Sequence, residues 1–274
     1  MPQAELPHRA LGASTLSVSR IALGSWRTFE RMERGDAEGV LGHALDRGID
    51  FLDDARYDDE TGLAPLATGY MGFERLDLLY SSTLPDDLPV AVAVEQIAGV
   101  LATGRVSAWG VVNWSAAALA EAGREAQRQS IPPPCAVQLP YSLVRLDWVQ
   151  DPAMEAALQS TGASLIPSAT LAGGALSGKY GHGGAGRLSG ELQAPRWRQA
   201  LELGDALRQL AERLQTTPAT LAISFTLLHP RTAATLIGAT HPEQIDAAVE
   251  AVGVAGRLSA TDVAELRALS TQPA

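Results

Sequence analysis

Several places in this chain of 274 residues put a side chain that can bind or move charge at the end of an apolar run. Asp53 and Asp54 follow Phe51-Leu52, and adjacent carboxylates there suit either proton exchange or plain capping of a strand end. Asn113 follows Gly110-Val111-Val112, and Gln138 stands within Ala136-Val137-Gln138-Leu139. A carboxamide carries a donor and an acceptor on one planar group. Gly238-Ala239 leads toward Pro242 and a helical stretch, where free backbone N–H groups and small side chains can receive phosphate. Ammonium chemistry is narrower: Lys179 is the only lysine, so a reaction needing that group uses Lys179 or does not occur. It stands beyond Gly173, Gly174 and Gly178 in a loop, where contact with phosphate or solvent is the expected role.

Other candidates read as structural. His8, His43, His182, His229 and His241 show no metal-ligand spacing, and no metal site is expected. Cys135 follows three prolines and reads as a core residue. Asp58, Asp59 and Glu60 read as an exposed acidic turn. Trp26 and Trp114, at strand ends, are candidates to line a pocket, with packing as their default. A hydrolase built on Asp53 and Asp54 lacks a second well-placed acid.

The elements that must position these residues alternate. Strand-length apolar runs fall at 21–24, 51–54, 76–81, 108–113, 136–139, 164–168 and 235–238, several bounded by Gly, Asn or Pro. Amphipathic stretches lie at 37–47, 92–103, 116–129, 152–159, 198–214 and 242–252. Thr217-Pro218 opens a further helix over 219–228, and Ser259 with Asp262 opens another over 259–269. Alternation of this kind implies a parallel sheet buried on both faces, in one domain over 1–274 with no linker or internal repeat. A (β/α)8 TIM barrel takes roughly 250 residues, about 30 per strand and helix. One stretch breaks the rhythm: residues 55–75 hold Gly62, Pro65 and Gly69 and no helical period.

Bulk properties exclude other classes. With 46% apolar and 19% charged residues the chain can bury a large core. A net charge of -10 argues against a nucleic-acid or anionic-membrane surface. No long apolar run or signal-peptide pattern is present and the one cysteine forms no internal disulfide, so a cytoplasmic setting is expected. Oligomeric state is not readable.

Five segments in fixed order resemble the aldo-keto reductase family of NAD(P)H-dependent carbonyl reductases on a TIM barrel. They are Arg47-Gly48-Ile49-Asp50-Phe51-Leu52-Asp53, Gly110-Val111-Val112-Asn113-Trp114, Val137-Gln138-Leu139-Pro140-Tyr141-Ser142, Leu171 through Tyr180, and Ile237 through Gln244. The resemblance implies a small carbonyl substrate and NADP(H) or NAD(H) as cofactor. It places Asp53 on the catalytic aspartate and Tyr57 on the proton donor, with Tyr70 as a second candidate. It assigns cofactor contacts to Gly24, Trp26, Asn113, Gln138, Ser168, Leu171, Gly174, Gly238, Ala239 and Gln244.

The chain also departs from the family pattern. Tyr57 comes one residue closer to Asp53 than the family spacing. The strand that carries the family's lysine is missing: after Thr68-Gly69-Tyr70 the chain passes to Met71-Gly72, and a helix, strand and helix of roughly 40–50 residues are absent. Two readings stand, a truly shortened barrel or a chain that in the cell carries one more repeat. The family's histidine falls on Ser82, the residue that would stack on the nicotinamide on Ser168, and the adenine-contacting asparagine on Ala248. The positions that often hold a lysine and an arginine for the 2′-phosphate fall on Gly238 and Gln244, so charge does not favour NADPH over NADH. A non-catalytic barrel that binds a dinucleotide or a partner is the alternative to a reductase.

Overall fold

The structure is a computed structural model that describes residues 6–26, 28–54, 75–184, 186 and 188–270. A short antiparallel hairpin, β1 (His8–Ala10) and β2 (Ser17–Ser19), comes first. Strands and helices then alternate: β3 (Ile21–Gly24), α1 (Arg34–Asp46), β4 (Phe51–Asp53), β5 (Leu76–Ser81), α2 (Val90–Ala102), β6 (Val106–Val112), α3 (Ala116–Arg128), β7 (Ala136–Pro140), α4 (Pro152–Thr161) and β8 (Ser164–Ser168). After β8 come 3-10 turns at Ala172–Ser177 and Lys179–His182, then α5 (Arg198–Arg213), α6 (Pro218–Leu227), β9 (Thr235–Ile237), α7 (Pro242–Arg257) and α8 (Ala260–Ser270).

The helices start where the sequence can cap them. Ser115 accepts the Ala118 N–H for α3, Asp151 the Ala153 N–H for α4, and Thr217 the Thr220 N–H for α6. At α8 the Ser259 hydroxyl and N–H both donate to Asp262, while Ser259 Oγ accepts the Asp262 N–H, a reciprocal cap. The expected α1 begins three residues early, and the expected strands at 51–54 and 235–238 end one residue short.

The strands are parallel in two sheets, ordered β4-β3-β9 and β5-β6-β7-β8. An isolated parallel bridge between Leu165 and Thr232 joins β8 to the lead-in of β9. Leu165 N–H donates there to Arg231 O, and Ala233 N–H to Leu165 O. The order across both sheets is therefore β4-β3-β9-β8-β7-β6-β5.

One interior serves all seven. Ala22 of β3, Phe51 of β4, Ala108 of β6, Ala136 of β7, Ile166 of β8 and Ala234 form a single buried cluster, and Leu78 and Tyr80 of β5 pack against it. The cluster runs without a break across one face of the strands, from β4 to β5. Among the described residues no ladder joins β4 to β5. A Cβ at Gly110 would fall 2.6 Å from Ala136 O and 2.9 Å from Tyr80 Cε1, so glycine there lets the Tyr80 ring lie across the interior. The hairpin turn covers the amino ends of β7 and β8: Leu11 is buried, Gly12 N–H donates to Ser164 Oγ, and Gly12 packs on the Cys135 carbonyl.

Outward side chains of the same strands meet the helices. Trp109 and Val111 of β6 and Val137 and Leu139 of β7 pack under α2 to α6, while Ile21, Leu23 and Ile237 pack under α1, α6 and α7. Burial of both strand faces is what an α/β fold with parallel strands requires. Among the described residues the exposed large apolar side chains are Trp26, Leu45, Leu52, Val92 and Val100. Leu45 is on α1, Leu52 on β4, and the two valines on α2; all three elements flank the interval between residues 54 and 75.

Candidate functional site

Parallel strands bring their carboxyl ends to one end of the sheet, and most of the candidate residues stand there. On the β4-β3-β9 side, Gly24 is in register with Asp53. Ser25 follows Gly24 and fixes both neighbouring carboxylate residues: its N–H donates to the Asp53 carbonyl at 3.0 Å, and its hydroxyl donates to Asp54 Oδ1 at 2.6 Å. Asp54 is thus a tether between strand ends, and Asp53 is the half-buried carboxylate beside it. Trp26 comes next and is 44% exposed. Gly238 lies against the buried Thr28, whose Oγ1 sits 2.7 Å from where a Gly238 Cβ would be. Ala239 is fully buried. The Gln244 carboxamide accepts the Thr240 N–H at 2.8 Å and so braces the entry to α7, while Ala248 is buried further along that helix.

On the β5-β6-β7-β8 side, Asn113 and Gln138 are neighbours. Val112 is in register with Gln138, and the Asn113 N–H donates to the Gln138 carbonyl at 3.0 Å. Asn113 has φ 58°, a left-handed conformation that asparagine tolerates better than most residues. Its Oδ1 is buried and accepts no hydrogen bond from the protein. Gln138 is buried, 5% exposed, on β7. Ser168 is half-buried, and its carbonyl accepts the Tyr141 N–H at 3.0 Å.

Beyond Ser168 the backbone enters the left-handed region repeatedly, at Ala169 (φ 52°), Ala172 (φ 47°), Gly173 (φ 68°) and Gly174 (φ 94°). Two alanines held there are a local strain of the kind found at binding loops. Leu171 packs into both helix layers. Lys179 folds back over this loop: its Nζ lies 5.1 Å from the Tyr180 ring centroid and 3.7 Å from where a Gly174 Cβ would stand.

The remaining candidates fall into three groups. Trp114 is 1% exposed and its indole N–H donates to the Ser82 carbonyl at 2.7 Å, so it locks the end of β5 instead of lining a pocket. Cys135 is buried, as expected of a core residue, and burial pushes its thiol up to about 11. Tyr57 and Tyr70 lie outside the described residues, as do Asp58, Asp59 and Glu60. Among the described residues no group of His, Cys, Asp and Glu comes together as a metal site. Ser25 and Thr28 were not foreseen; the only signal was their position just after the β3 run.

Residues 68–271 match the sequence model of the Aldo/keto reductase family. The chain belongs to this family. Curated relatives extend the likeness toward the amino end. A putative voltage-gated potassium channel subunit beta of Schizosaccharomyces pombe is 25% identical over 311 positions, covering 93% of this chain and 90% of the relative. A probable voltage-gated potassium channel subunit beta of Arabidopsis thaliana is 25% identical over 303 positions, covering 91% and 92%. In the first match, 93% of 274 residues is about 255, so about 56 of the 311 positions hold no residue of this chain.

An aldo-keto reductase is an oxidoreductase on an α/β scaffold, and the site residues can be tested for fit to the family's nicotinamide group. Asn113 Oδ1 is an acceptor in need of a donor, and a carboxamide N–H is one. The Gly238-Ala239 backbone is small, but the space beside Gly238 is taken by Thr28. The fit is therefore best at the amide pair on β6 and β7.

Proposed function

We propose that this chain binds a nicotinamide dinucleotide over the carboxyl ends of its strands and uses it to reduce aldehydes or ketones, in one domain whose strands belong to a (β/α)8 barrel. The buried, donor-less Asn113 Oδ1 beside Gln138 carries this reading, because an unsatisfied buried acceptor costs about 1–3 kcal/mol unless a ligand completes it. A bound nicotinamide would supply the hydride. The chain supplies the rest. Asn113 and Gln138 orient the carboxamide, and Gly238, Ala239 and Gln244 offer the entry to α7 to phosphate and ribose. Gly24, Trp26, Ser168, Leu171 and Gly174 border the crevice, and Lys179 is the cation available to phosphate. Tyr57 gives its proton to the carbonyl oxygen, and Asp53 supports it.

A second reading rests on Ser82, on the single lysine and on the relatives' printed names. A site without the family's histidine and lysine holds the dinucleotide but turns nothing over, and the barrel serves as a partner-binding subunit.

Titration with NADPH and NADH, read by fluorescence, together with turnover of a simple aldehyde, separates the two. The expected result is saturable binding and turnover. Asn113→Ala should weaken binding by about tenfold or more, the loss of one buried polar contact. Tyr57→Phe should remove turnover and leave binding intact. Binding without turnover in the unmodified chain selects the second reading, and absence of binding removes both.

A further inference from the structure

A cleft of about 350 Å³ lies between the segment after β7, the end of α6 and the end of α8. None of the residues assigned above to the dinucleotide lines it. Its floor is aromatic: Tyr141 and Phe225 are buried with ring centroids 5.4 Å apart, and His229 meets Tyr141 edge-on at 6.0 Å. Leu146 and Leu228 complete an apolar wall. The volume is within the range of about 300–1,000 Å³ typical of small-molecule sites.

The charge of the lining runs against that of the chain. The protein carries a net -10, yet among the described residues no carboxylate lines the cleft, and Arg267 places a guanidinium there. Burial pushes the His229 imidazole below its ordinary value, against the raising effect of Glu155, so the ring is neutral near pH 7. Its Nδ1 accepts the Arg231 N–H at 3.3 Å, which leaves the proton on Nε2. Burial raises the Tyr141 phenol, so that hydroxyl stays protonated, with Gln150 donating to it at 3.4 Å. An aromatic slot with a guanidinium at its mouth matches one kind of ligand. Flat rings pack on its floor, and a carboxylate can take two parallel bonds from the arginine.

We propose that this cleft is a second binding site, for a small aromatic carboxylate whose ring lies on Tyr141 and Phe225 and whose carboxylate pairs with Arg267. Sodium benzoate titrated into the full chain by calorimetry tests it, with benzamide as the uncharged isostere. Saturable one-to-one binding of benzoate is expected, with benzamide weaker by about tenfold, the value of a lost charge-assisted contact. Arg267→Gln should lower benzoate to the affinity of benzamide. Leu146→Trp, which fills the cleft and keeps the charge, should abolish both. Arg267 is exposed and Leu146 half-buried, so an unchanged Tm will accompany these effects. The proposal is overturned if benzoate does not saturate or if benzamide binds equally well. It is also overturned if NADPH or Asn113→Ala alters benzoate binding, which would place the ligand at the strand ends.

Discussion

Asn113 has two reasons to be asparagine, and sequence alone could not separate them. A left-handed φ of 58° favours it as a turn residue, while its buried, unaccompanied Oδ1 favours a ligand. Both hold at once. Residues such as Asp53, Asn113 and Gln138 were legible because each stands in or just after an apolar run, where a strand must end. Ser25 and Thr28 were not, because they act across strands remote in sequence, as Gly238 on Thr28 illustrates. Trp114 reads by default as a packing residue at a strand end, and it is buried there with its indole N–H on the Ser82 carbonyl. The Ser259–Asp262 cap was fully readable and has a pH consequence. The Asp262 carboxyl is held below its usual range by the Ser259 hydroxyl first, then by the Ser259 N–H and Arg213. A carboxylate whose folded pKa is depressed stabilises the fold above its unfolded value, about 3.9, and that contribution fades as pH falls through the folded value. Asp262→Asn should therefore lower Tm at neutral pH, and the two Tm curves should converge below about pH 4. Curves that stay parallel into acid would show that the cap contributes no proton-linked stability.

At the scale of elements, the strands were readable because a strand buried on both faces is an unbroken apolar run, and seven of them punctuate the sequence. Their ends drifted by one or two residues where the ladder continues past the expected apolar run, as at Val106 and Pro140. The hairpin β1–β2 was not foreseen. Its strands have three residues each, and the residues of β1 are all exposed, so no period of two can show. What could not be read at all is how inward faces share space. Gly110 looks like part of a family motif, but the geometry gives it a packing role, since Tyr80 and the Ala136 carbonyl occupy the place of its side chain. Gly110→Ala should cost about 1–3 kcal/mol, as overpacking of a core does, and lower Tm by several degrees. A neutral result would mean that β5 moves freely against β6.

The molecule as a whole is defined by its interruption. Apolar side chains on α1, β4 and α2 face solvent, and those elements flank one interval of the chain, from residue 54 to residue 75. Isolated exposed apolar side chains need no explanation, but two leucines and two valines on the elements around one interval do. Among the described residues β4 and β5 each pair on one side only, although both contribute to one core. The first relative aligns with about 56 positions that this chain does not fill, close to the size of one helix, strand and helix. We propose that one repeat, the one that by resemblance carries the family's lysine, is missing from this interval. An open wall would leave edge groups and apolar area in water at a cost comparable to a domain's net stability of about 5–15 kcal/mol. The expected intact mass of the protein from its native source is therefore above 28.8 kDa by about 5 kDa, the weight of one further repeat. That outcome supplies a lysine strand beside β5 and favours turnover. A native mass of 28.8 kDa would instead make the open wall real. The chain should then bind a hydrophobic dye there, less strongly once Leu52 and Val100 are replaced by aspartate, and the second reading of its function would gain.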